Sequence, residues 1–218
     1  MLSLLQFKPY YMKLKFLITI LLSLFVSFAY SQVSITNAAP SATINFSNSM
    51  QPSVGSTPST AYEGDGFAPN PTTPGRLNSN AWEVKGWSFG NLLFGGTQTV
   101  DDFARGPVTG GVITPGMYAY TESPGTVANP AMLIQPSAGD FDPGTVALKI
   151  RNNGTSNMTQ ISVNYNLFVL NDENSSSAFN FSHSPDNLVY EAEPLLDYTS
   201  PDVADAFQWV NIGIAPSR

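Results

Sequence analysis

The most regular pattern in the chain runs over residues 161–170. Ile161, Val163, Tyr165, Leu167 and Val169 fall on one face, and Ser162, Asn164 and Asn166 on the other. Successive side chains point to opposite sides of a strand, so this period of two predicts a β-strand. Phe168 and Leu170 interrupt the polar face near its end, which predicts burial on both sides there and a central place in a sheet. Just upstream, Val146, Leu148 and Ile150 alternate with Ala147, Lys149 and Arg151. The following Asn152-Asn153-Gly154 tolerates positive φ, so the two segments predict a hairpin with a rather long turn. A second hairpin is predicted where Phe179 and Phe181 alternate with polar residues, Ser184-Pro185-Asp186-Asn187 suits a type I turn, and 188–192 returns. Further strands are predicted at 42–46, 82–89 with a bulge at Gly86, 117–121, 131–135 and 207–212. One helical turn is predicted at 200–203, with Ser200 as cap and Pro201 in its first position.

Many short strands and no helical alternation predict an all-β fold, an antiparallel β-sandwich of jelly-roll-like character, because two half-apolar sheets must cover each other. Composition agrees: 17 Gly, 17 Pro and only 11% charged residues starve helix surfaces of their usual Glu and Lys. The stretch 51–80, rich in Pro, Gly and Ser, is expected to be a long loop within a single domain spanning 32–218. With no cysteine, stability must come from core burial.

The first residues have a different pattern. Lys13 and Lys15 precede a predominantly apolar, uncharged run over 16–28, followed by Ala29-Tyr30-Ser31. A basic region, an apolar region and small residues at a cleavage position predict a signal peptide over 1–31, with Met12 as the expected true start. The run is short of the roughly 20 residues a membrane helix needs. The expected product is secreted or displayed at the cell surface, without a membrane span after cleavage. Its loss of Lys8, Lys13 and Lys15 leaves six basic residues against 16 acidic ones, a net charge of −10. The remaining basic residues are scattered, so the electrostatic footprint for direct nucleic acid binding is missing from the sequence.

Residues from Trp82 to the C-terminus carry a resemblance. The run Gly144-Thr145-Val146-Ala147-Leu148-Lys149-Ile150-Arg151, with Asn171-Asp172-Glu173, Phe179-Asn180-Phe181-Ser182 and Leu196-Asp197-Tyr198-Thr199-Ser200-Pro201, resembles a jelly-roll-like β-sandwich region of large secreted bacterial proteins. Such proteins often carry lamin-tail domains, extracellular nuclease or phosphatase domains and a type IX sorting tail. The resemblance implies a fold and no catalytic residue. It also implies closing strands beyond Arg218, so the chain is expected to be a fragment. Residues 214–218 read as the start of a turn.

The chemistry-bearing residues are few. His183 is the only histidine, which leaves a Ser-His-Asp triad or a multi-histidine zinc site little to build from. Paired carboxylates suited to glycoside hydrolysis are found at Asp101-Asp102, Asp140 with Asp142, and Glu191 with Glu193. Calcium is the better use of such residues, because it takes oxygen ligands from loops; the candidate ligands are Asp140, Asp142 and Asp172. Trp82, Trp87 and Trp209, with Tyr118 and Tyr120, are candidates for a sugar-stacking face, against the alternative of core packing. The expected function is a non-catalytic structural or adhesive module, with other domains of a longer chain or surface glycans as partners. The alternative is a carbohydrate-binding module, or an accessory domain of an extracellular hydrolase.

Overall fold

In the computed structural model the described residues are 32–47, 50–51, 53–121, 130–171, 173–204 and 208–216, the last segment as backbone alone. The predicted signal peptide and Asp172 lie outside them. The described chain is all-β. Its strands are β1 (Val33–Ile35), β2 (Tyr62–Ala68), β3 (Gly75–Asn78), β4 (Trp82–Trp87), β5 (Gly90–Leu92), β6 (Pro107–Val108), β7 (Gly116–Tyr120) and β8 (Ala131–Gln135). They continue as β9 (Thr145–Leu148), β10 (Ile150–Asn152), β11 (Ser162–Val169), β12 (Ala178–Phe179), β13 (Ser182–His183), β14 (Glu191–Ala192), β15 (Tyr198–Thr199) and β16 (Gln208–Pro216). The described helical structure is two 3-10 turns, Asp101–Phe103 and Pro194–Leu196.

Part of the core lies where the sequence predicts a loop. Val54, Tyr62, Phe67 and Leu77 are buried, and with Trp82, Val84, Trp87, Leu92, Phe103 and Met117 they form one cluster. Segment 51–80 is therefore not a loop; it contains β2 and β3, which pair in parallel. Gly66 explains the disguise. Its φ is +81°, and a Cβ there would strike the carbonyl of Gln98; that carbonyl accepts from the Phe67 N–H, and the Gln98 N–H donates to the Phe67 carbonyl. The glycines that read as loop are what let two backbones approach closely. Aromatic contacts tie the layers: Phe67 meets Phe103 edge-on at 6.4 Å, and Phe46 lies 6.1 Å from Trp82.

Small sheets of mostly antiparallel strands enclose this core in a sandwich-like arrangement. β4 lies between β5 and β9, and β7 between β6 and β8. The bulge predicted at Gly86 is present: φ is +109° and the β4–β5 register shifts between Val84 and Trp87. Segment 42–46 forms no strand, although the Phe46 carbonyl accepts from the Tyr62 N–H at 2.9 Å.

The hairpin predicted between 146–151 and 161–170 does not form. β9 pairs with β4, and β10 runs parallel to β1. The Asn-Asn-Gly segment instead fastens β1: Asn153 Nδ2 donates to Ser34 Oγ at 2.7 Å, and Asn37 Oδ1 accepts from the Thr155 N–H at 3.0 Å. Strand β11 is not central either; among the described residues it pairs with β16 alone, antiparallel. Its exposed and half-buried residues alternate as the period predicts, and Phe168 and Val169 are both half-buried. β16 continues through Pro216, so residues 214–216 are strand and not a turn. Around β11, Tyr165 packs between Phe179 and Phe181 at 5.4 and 5.9 Å. Its hydroxyl donates to the carbonyl of Leu196, which is fully buried. Residues 200–203 form no helical turn. The Ser200 hydroxyl still caps a backbone amide, that of Ser177 at 2.9 Å.

Candidate functional site

Two of the acidic residues marked by the sequence, Asp102 and Asp140, meet at the β4–β5 turn. Asp140 Oδ1 accepts from the Ser88 N–H at 2.6 Å, and its Oδ2 from Ser88 Oγ at 3.1 Å. Asp102 is buried; its Oδ2 accepts from the Phe89 N–H at 3.1 Å and from Ser88 Oγ at 3.4 Å. Its Oδ1 pairs with Arg105 Nη2 at 2.6 Å, while Arg105 Nε donates to the Pro115 carbonyl. Between them the two carboxylates hold consecutive backbone amides of one tight turn, and all four of their oxygens have donors. Such charge-assisted bonds make a rigid brace.

The neighbouring segment locks onto the same turn. Phe141 stacks on Trp87 with ring centroids 4.4 Å apart, and its N–H donates to the Gly86 carbonyl at 2.7 Å. A Cβ on Gly86 would come within 2.7 Å of Gly144 Cα, so the bulge needs glycine for this approach as well as for its φ. Asp142 is exposed and stays out of the cluster. Of the three proposed calcium ligands, then, Asp140 braces a turn, Asp142 faces solvent, and Asp172 lies outside the described residues. Among the described residues no three acidic or histidine side chains are arranged to hold a metal ion. On either side of Asp172, Asn171 donates to the carbonyls of Pro201 and Val203, and Asn174 accepts from the Ala204 N–H. These two side chains cross-link backbone, the common use of Asn in turns.

Three of the aromatic candidates, Trp82, Trp87 and Tyr118, are buried and present no exposed face. Trp82 and Trp87 are core residues, and Trp82 Nε1 donates to the Val54 carbonyl at 3.0 Å. Tyr118 is buried with its hydroxyl on the Thr114 carbonyl. Trp209 pairs through its backbone with Phe168; its side chain lies outside the described residues.

The predicted second hairpin is present in shorter form, as β13 and β14, with His183 opposite Glu191. His183 Nε2 lies 3.9 Å from Glu191 and Nδ1 3.5 Å from Glu193, so a charged imidazolium would face a carboxylate at each ring nitrogen. Residues 188–190, predicted as the returning strand, are the loop. Asp186 organises it: Oδ1 accepts from the amides of Leu188 at 2.8 Å and Val189 at 3.2 Å, and from Ser184 Oγ. These bonds, the Leu188 amide foremost, hold the Asp186 carboxyl below its ordinary value. Asn187 adopts a left-handed φ of 62°, and the Tyr190 hydroxyl bonds its side chain. The braced loop presents Leu188 at 82% and Val189 at 69% exposure, and the 3-10 turn after β14 adds Leu195 at 80%. Sequence reasoning missed this feature. Its signal was an Asp two and three residues ahead of apolar residues, a spacing that lets one carboxylate take both amides.

Compared with protein-family models, with curated proteins and with solved structures, the chain matches none.

Proposed function

We propose that the chain is a secreted, non-catalytic β-sandwich module whose role is structural or adhesive. The observation that carries this reading is the use made of Asp102 and Asp140. These two acids meet at Ser88 and spend their oxygens on Ser88, Phe89 and Arg105. A general acid or nucleophile needs a carboxyl free to reach a substrate; these hold a turn. The apolar side chains presented by a braced loop on the β13–β14 hairpin supply what a binding module needs, a preorganised exposed contact.

The test uses Asp140→Asn and Asp102→Asn in residues 32–218. The reading predicts a lowered unfolding midpoint in both variants and no turnover by the unsubstituted protein on a panel of polysaccharides and phosphoesters. Turnover that Asp140→Asn abolishes while the midpoint stays unchanged would contradict it.

A further inference from the structure

The charge of the chain is unevenly distributed. Between Asn152 and Ser217 there are eight acidic residues and not one lysine or arginine. All the lysines and all but one of the arginines lie at or before Arg151. The exposed apolar loop sits inside this anionic half. Asp186 lies at its base, and Glu191, with Glu193 and Asp197 further along, follows it. His183, at the foot of the hairpin, faces Glu191 and Glu193.

From this combination we infer that the β13–β14 hairpin docks a protein surface with an apolar pocket rimmed by lysine or arginine. Leu188 and Val189 enter the pocket, and Asp186 and Glu191 meet the rim. The inference deepens the module reading above and rests on it. Two observations choose this occupant. Exposed aliphatic side chains on a loop held by four hydrogen bonds to or around Asp186 cost little ordering on contact. A one-signed field steers an oppositely charged partner and repels a like one. That repulsion disfavours a second copy of this half, nucleic acid, and anionic lipid, leaving a cationic protein surface as the complementary partner.

The experiment is an NMR titration of isotope-labelled residues 32–218. The probe is a synthetic amphipathic peptide of leucine and lysine; the controls are the same peptide with serine for leucine, and zwitterionic phosphatidylcholine vesicles. The inference predicts shift changes confined to about residues 183–197, affinity falling steeply with salt, and at least tenfold weaker binding by the L188S/V189S double variant. That variant should keep its unfolding midpoint, because both side chains are exposed. The inference is overturned if the serine peptide binds equally well, if L188S/V189S binds like the unsubstituted protein, if shifts spread over the whole acidic surface, or if the vesicles compete through Leu188. None of these results bears on turnover, so the hairpin assignment can fail while the module reading stands, and the turnover panel tests that reading separately.

Discussion

Tyr62 and Tyr165 belong to the two halves of this molecule and show how differently those halves are built. Burial raises the phenol of each above its ordinary value, with one aspartate adding to the effect: Asp65 beside Tyr62, and Asp197 beside Tyr165, whose phenol is pushed up to about 12. Tyr62 has no exposed surface and sits among Phe46, Phe67 and Leu77 in the common core. Its hydroxyl is buried without a hydrogen-bond partner. Tyr165 is half-buried on a two-stranded ladder, and its hydroxyl ties β11 to the 3-10 turn at Pro194–Leu196. In the first half apolar burial does the holding. In the second, Leu196 is the one buried apolar side chain among the described residues, and hydrogen bonds donated by Tyr165 and Asn171 and accepted by Asp186, Asp197 and Ser200 carry more of the load.

The same substitution should therefore give two results. Tyr165→Phe removes a hydrogen bond and leaves the Leu196 carbonyl without it, so it is expected to destabilise by about 1–2 kcal/mol in urea unfolding. A cost as small as that of an exposed substitution would break the comparison. A smaller effect comes from pH. Asp186 is held below its ordinary value, so its contribution is fully present above about pH 4 and is lost as pH falls through the lower folded value. The amide signals of Leu188 and Val189 should shift together in that acid range. The smallest effect is expected at the other tyrosine. Tyr62→Phe deletes an unpartnered buried hydroxyl without emptying the ring site, so stability should be unchanged or slightly higher.

What the sequence revealed divides along the same line. Local, repeated signals were legible: the alternation of β11, the Gly86 bulge, the strands β7 and β8, and the reversal at Ser184–Asn187. Signals whose meaning depends on a distant partner were not. Gly64 and Gly66 read as loop because their purpose, a close approach of β2 to the backbones of Gly106 and Gln98, is invisible without those backbones. Asn152-Asn153-Gly154 read as a hairpin turn because its true partners, Ser34 and Asn37, lie more than a hundred residues away. Trp82 and Trp87, offered as part of a sugar platform, are core because β4 is covered by 54 and 141, segments that carry no strand pattern of their own. The apolar tip read as strand because Leu188, Val189 and Tyr190 are strand-forming residues; one carboxylate curls them into a loop instead.

Native-state hydrogen exchange on residues 32–218 tests the central claim most directly, because it reads local opening along the whole backbone. The account predicts two tiers: amides of β2, β4 and β7 exchange only through global unfolding, and those of β12, β13, β14 and β15 exchange much faster, through local opening. Uniform protection across both halves would contradict it, since it would mean that the thinly packed, acidic half is held as firmly as the core.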